Sequence, residues 1–112
     1  MDAHLISRIL QIRHPLKIKQ VRTGREAIRV IRAEEPHLIV LDLVIPDMNG
    51  FQILSDLRQD EKLDAIPVIV ITSKDLSEAE KQLLIMNNVS SMWQKGKLDR
   101  EKLLADVESQ LK

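Results

Sequence analysis

The sequence contains no cysteine. That excludes a disulfide framework, a thiolate zinc site, an iron–sulfur cluster and a cysteine nucleophile. Aromatic side chains are nearly absent, with Phe51, Trp93 and no tyrosine. Neither sign of charge is in excess: 17 Lys and Arg balance 17 Asp and Glu. Without a net positive charge or a long basic run, the electrostatic footprint of a nucleic-acid binder is missing. No apolar run approaches the roughly 20 residues needed to span a bilayer. The opening Met1-Asp2-Ala3-His4 does not read as a basic and then apolar leader, so a cytoplasmic protein is expected. What remains is ordinary soluble composition, 44% hydrophobic and 30% charged over 112 residues. That length suits one domain with one core, spanning 1–112.

Short apolar runs alternate with longer amphipathic ones. Leu5, Ile6, Ile9 and Leu10 predict a helix over 3–13, ended by His14-Pro15. The alternation from Leu16 to Arg22 predicts a lysine-rich strand, of the kind found at a sheet edge. Thr23-Gly24 is a turn, and 25–34 a helix with Ala27, Ile28 and Ile31 on one face. Leu38-Ile39-Val40-Leu41 is continuous, which suits a parallel strand covered on both faces and ending at Asp42. A loop over 43–49 leads to a helix over 50–59, with Phe51, Leu54 and Leu57 inward. A second continuous run, Val68-Ile69-Val70-Ile71, ends at Thr72. Ser77-Glu78-Ala79-Glu80 is a capping box that starts a further helix, and Asn87-Asn88 ends it. Residues 89–94 predict a last strand before Lys95-Gly96, and Asp99 caps a final helix. Strands separated by single helices call for right-handed crossovers and a parallel sheet. The expected fold is an α/β doubly wound, three-layer sandwich.

In such sheets the functional crevice lies at the carboxyl ends of the strands. Those ends carry Asp42, Thr72 and Lys95. Taken singly, each has a bland reading as a loop carboxylate, a β-branched strand end or a surface lysine. Together they bring a carboxylate, a hydroxyl and an ammonium to one rim. A carboxylate can attack phosphorus and form an acyl phosphate. The resulting dianion is met by a charge-assisted and a neutral hydrogen bond. A hard divalent cation such as Mg²⁺ is expected beside it, on carboxylates and backbone carbonyls.

On these residues the chain resembles the receiver domains of two-component response regulators. Leu38 to Gly50 resembles the phosphoacceptor segment, Pro67 to Asp75 the fourth strand with its switch hydroxyl, and Gln94-Lys95-Gly96 the lysine after strand five. Thr23 to Ala27 resembles the start of the second helix. The resemblance implies a flavodoxin-like sandwich. It also implies Asp42 as phosphoacceptor, Thr72 and Lys95 as phosphoryl contacts, and the Val44 carbonyl and Asp42 as Mg²⁺ ligands. It implies a histidine kinase or hybrid-kinase domain as phosphodonor, and a downstream partner docked through 77–111. Trp93 reads equally as a binding hot spot there or as core.

Three departures from the family pattern stand out. The family's first, central strand and its terminal acidic pair have no counterpart in the sequence. Asp2 falls at or one past the second acid, so the metal site keeps at most one acidic anchor. The missing neighbour of Leu38–Asp42 predicts a marginal or self-associating domain. The usual Lys-Pro is Lys95-Gly96, and the aromatic switch position holds Met92. His4, His14 and His37 are expected to be solvated or capping, and Asp47 and Asp75 to be solvated in rim loops, with reach to a metal through water as the alternative. The function expected is a phosphorelay receiver rather than an enzyme with a separate substrate. The alternative is a pseudoreceiver that docks a partner without phosphorylation. A flavin carrier is disfavoured, since the chain lacks a Ser/Thr/Gly-rich phosphate loop and aromatics to flank the ring.

Overall fold

A computed structural model describes residues 20–111. The expected helix over 3–13, residues 16–19 of the expected strand and Asp2 lie outside the described residues, as does anything bearing on a first strand. Residues 20–22, the described end of that expected strand, are not in a strand. The elements run α1 (Gly24–Glu34), β1 (Ile39–Asp42), α2 (Gly50–Gln59), β2 (Val68–Thr72), α3 (Glu78–Met86), β3 (Ser91–Gln94), a 3₁₀ turn (Lys95–Lys97) and α4 (Arg100–Gln110).

Among the described residues the sheet has the order β1-β2-β3, and both pairings are parallel. Each crossover is a helix, as parallel pairing requires. The register sets Ile39 beside Val68 and Leu41 beside Val70, then Ile69 beside Ser91 and Ile71 beside Trp93. Side chains alternate across the sheet, and the core divides accordingly. On one face Ile39, Leu41, Val68 and Val70 pack with Ile31 of α1, Ile53, Leu54 and Leu57 of α2, and Leu84 of α3. On the other face Ile69 and Ile71 pack with Leu103, Leu104 and Val107 of α4. This is the flavodoxin-like α/β sandwich expected from the alternation of apolar runs.

The helix ends show why the chain breaks where it does. Asn49 accepts from Phe51 N at 2.8 Å and so caps α2. Ser77 and Glu80 form the capping box of α3 in both directions, at 3.1 and 3.0 Å. Asp99 accepts from Glu101 N and Lys102 N at the start of α4. The left-handed residue after α3 is Asn88, with φ 55°. Glu35, with φ 44°, ends α1 in the same way without the ease of Asn or Gly.

Three expectations need correction. β2 is buried at all five positions. β1 is not covered on both faces, because Val40 is 42% exposed. Its continuous apolar run therefore overstated its burial. Within α2, Ile53 is fully buried while Phe51 is only half-buried, since 53, 54 and 57 form the inward stripe. β3 starts at Ser91 rather than Val89, because Val89 N still bonds Leu84 O at the end of α3.

Candidate functional site

Parallel pairing brings the carboxyl ends of β1, β2 and β3 to one rim. Asp42 and Thr72 are the last residues of their strands, and Lys95 is the first residue beyond β3. Lys95 Nζ donates to Asp42 Oδ2 at 2.6 Å, across 53 positions of sequence. Both side chains are about one-third exposed, at 31% and 32%. The other carboxylate oxygen is also held: Val44 N donates to Asp42 Oδ1 at 2.9 Å. The sequence reading placed both partners at this rim, and the structure joins them.

Thr72 behaves differently. It is 2% exposed, and its hydroxyl oxygen accepts from Lys74 N at 3.1 Å. This is the local turn that threonine favours at a strand end. A hydroxyl has one proton and two acceptor positions, so the bond from Lys74 leaves the proton available to donate. Strand register puts Thr72 one residue beyond Ile71, the partner of Asp42.

The loops around these residues are tied down. Val44 forms an antiparallel bridge with Asn49. A Cβ on Gly50 would fall 2.7 Å from the Leu43 backbone, so that loop closes where only glycine fits. Beyond β2, Lys74 Nζ pairs with Glu80, and Gln94 Nε2 donates to Asp75 Oδ1 at 2.6 Å. Two residues expected to be solvated are therefore engaged, Asp75 by Gln94 and Asp47 by the start of α1. Asp47 accepts from Gly24 N at 2.7 Å and Arg25 N at 3.2 Å. The Gly24 bond is the chief reason its carboxyl lies below the usual carboxylate range. The Lys74 ammonium is the chief reason Glu80 does so too. His37 is exposed, as expected.

Trp93 resolves towards core. It is half-buried against Ile69, Ile71 and α4, and its Nε1 donates to Asp106 at 2.9 Å. Ser91 Oγ bonds the same carboxylate. Met92, one position along, faces the other way and is exposed. Neither Asp106 nor the helix-capping role of Asp47 was foreseen. The residues they serve lie 13 to 23 positions away, beyond any periodic signal.

This arrangement can be set beside known proteins. Residues 2–108 match the family described as response regulator receiver domain. The chain belongs to that family. Protein PilH of Pseudomonas aeruginosa is 35% identical over 63 residues, covering 56% of this chain and 52% of PilH. Hybrid signal transduction histidine kinase D of Dictyostelium discoideum is 38% identical over 84 residues, covering 75% of this chain and 5% of that protein. The chain thus spans about half of PilH and a small part of the hybrid kinase. The signal receiver domain of a Vibrio parahaemolyticus protein described as a putative Luxo repressor superimposes with a TM-score of 0.85 at 30% identity, covering 97% of this chain and 80% of that one.

Mg²⁺ is the metal the receiver family implies. The described donor at this rim is a hard oxygen, the Asp42 carboxylate, and the family resemblance would add the backbone carbonyl of Val44, an exposed residue. Among the described residues no group of three or more His, Cys, Asp or Glu could hold a metal ion, and Asp2 lies outside them. One carboxylate and one carbonyl suit Mg²⁺, which keeps several waters and completes its shell with phosphate oxygens. Among the described residues no helix is long and apolar enough to cross a membrane.

Proposed function

We propose that this receiver accepts a phosphoryl group on Asp42 from the phosphohistidine of a histidine kinase or a hybrid-kinase domain, and that the new charge changes its affinity for a downstream protein. The observation that carries this reading is the Asp42–Lys95 pair at the carboxyl rim of the sheet. A carboxylate oxygen of Asp42 attacks phosphorus, forming the O–P bond as the P–N bond of phosphohistidine breaks. The electron pair returns to the imidazole nitrogen, which keeps or regains a proton from solvent. Lys95 then faces a phosphoryl oxygen, and the Thr72 hydroxyl donates its free proton to another. Asp42 and the Val44 carbonyl would hold Mg²⁺, which supplies positive charge to offset the phosphoryl dianion.

In this reading the protein is a cytoplasmic phosphoprotein and a signalling receiver. It is not an enzyme with a separate substrate; at most it catalyses its own phosphorylation and dephosphorylation. Leu83, Ile85 and Met86 of α3 and Met92 of β3 are exposed, and they support docking through residues 77–111.

The test uses acetyl phosphate with Mg²⁺. The wild type should gain one phosphoryl group by intact mass, labile to hydroxylamine, and Asp42→Asn should gain none. A wild type left unmodified by both acetyl phosphate and phosphorylated kinases would leave a docking module without turnover.

A further inference from the structure

A helix begins with four backbone N–H groups that have no partner inside it. In α1 these are the N–H groups of Thr23, Gly24, Arg25 and Glu26. The cap's side chain satisfies one, Thr23 Oγ1 accepting from Glu26 N at 3.2 Å, while Ala27 N makes the first intrahelical bond, to Thr23 O at 3.0 Å. Gly24 N and Arg25 N are taken one by each oxygen of Asp47. Asp47 belongs to the loop that follows the phosphoacceptor strand, 22 and 23 residues further along the chain. The same loop seats apolar atoms on the same spot. A Cβ on Gly24 would lie 2.3 Å from Met48 Cγ and 3.2 Å from Ile45 Cδ1. Gly24 thus serves two contacts at once, offering its N–H to Asp47 and its bare Cα to Met48.

The other end of this loop reaches the chemistry. Val44 N holds Asp42 Oδ1, and Val44 is bridged to Asn49. The loop is therefore short, internally cross-linked, and docked at one place on a separate helix.

We propose that Asp47 is a positioning residue for the phosphoacceptor site. It locks the 43–49 loop onto the start of α1 and so fixes the Val44 backbone, whose N–H orients Asp42 and whose carbonyl would help hold Mg²⁺. The functional consequence rests on Asp42 being the phosphoacceptor; the lock itself does not. The carboxylate that makes the lock stays charged across neutral pH, its carboxyl lying below the usual range chiefly through the Gly24 N–H.

The experiment compares wild type with Asp47→Ala and Asp47→Asn, the latter keeping one acceptor oxygen. Amide hydrogen exchange is read at Gly24, Arg25 and Val44. Mg²⁺ binding is read without phosphodonor, by NMR shifts of the Asp42 and Val44 amides. In Asp47→Ala, all three amides should exchange faster together while those of β2 and α4 hold. Mg²⁺ affinity should fall about tenfold, the low end for residues that support metal ligands. Asp47→Asn should recover part of both losses, and it carries the same readouts if the alanine variant fails to fold. Faster exchange at Gly24 and Arg25 with Val44 unchanged would reduce Asp47 to a helix cap and overturn the proposal. A wild type that binds no Mg²⁺ counts against the phosphoacceptor reading alone, since Val44 exchange still decides the lock.

Discussion

At the amino ends of the strands, Arg58 donates to four backbone carbonyls: Asn87 at 2.6 Å, Asp64 at 2.8 Å, Ile66 at 3.1 Å and Asn88 at 3.4 Å. Those carbonyls lie in the segments that lead into β2 and β3. Burial lowers the guanidinium pKa somewhat, and it stays charged. The carboxyl ends are held by a different kind of contact. Lys74 bonds Thr72 two residues back, Ser77 and Glu80 bond each other, and Gln94 reaches Asp75 at the surface. The Asp42–Lys95 pair is one-third exposed. Ion pairs at the surface contribute about 0–1 kcal/mol each, and this part-buried one lies near the upper end of that range. One rim is stapled by a single multidentate side chain. The other is an assembly of small contacts that can be exchanged one at a time. Under the proposed phosphorylation this rim has to rearrange its hydrogen bonds at little cost, and such regions come from the weakly held end of a structure.

The largest expected effect lies at the stapled rim. Arg58→Met keeps the aliphatic stem and removes the charged donor from four carbonyls. It should cost about 2–4 kcal/mol in denaturant unfolding, since hydrogen bonds to charged groups contribute roughly 1.5–3 kcal/mol and the two part-buried carbonyls left without a donor add to the loss. Below its melting range, the variant should still take a phosphoryl group on Asp42 at the wild-type rate. A cost under about 0.5 kcal/mol, as at an ordinary surface site, would abolish the contrast between the rims.

The same contrast explains what could be read from the sequence. Helix α2 over 50–59, the end of β2 at Thr72 and the Ser77 capping box were all legible, because each signal lies within a few residues of its effect. The common rim was legible for a topological reason: Asp42 and Thr72 end successive parallel strands and Lys95 follows the next, so the sheet itself brings them to one side. Arg58 was not legible. Its partners lie 6 to 30 positions away, and nothing in the periodicity of α2 separates it from a solvated arginine. Asp47 was hidden in the same way. Gly24 N and Arg25 N at the start of α1 have no local acceptor, but nothing near them in the sequence says which carboxylate arrives. Val40 failed for the opposite reason, since its β-branched run reads as buried whichever neighbours the strand has.

At the carboxyl rim, Ser77→Ala removes one half of the α3 capping box and leaves Glu80 paired with Lys74. Loss of a serine cap costs about 1 kcal/mol. The expected result is a loss of that size in unfolding, smaller than for Arg58→Met, with faster amide exchange confined to the first turn of α3. A loss equal to that of Arg58→Met would mean that this rim is as cooperative as the other.

The smallest effect separates two carboxylates within the carboxyl rim. Asp47 is held chiefly by the Gly24 N–H, and Glu80 chiefly by the Lys74 ammonium. Both are lowered in the native state, so each favours folding through its charged form. A lowered group contributes fully above its unfolded value, about 4, and loses that contribution as pH falls through its native value. Stability contributed by these two groups should therefore be flat from pH 8 to about 5 and decline below about 4. Carboxyl carbon shifts followed by NMR should show both midpoints below the ordinary values. Lys74→Met should then return Glu80 towards the ordinary glutamate value and leave Asp47 where it is, because Asp47 is held by backbone N–H groups and not by a neighbouring ammonium. If Asp47 moved with Glu80, the two loops would be electrostatically coupled, and the picture of a rim built from separable contacts would fail at the place where the phosphoryl group is expected to arrive.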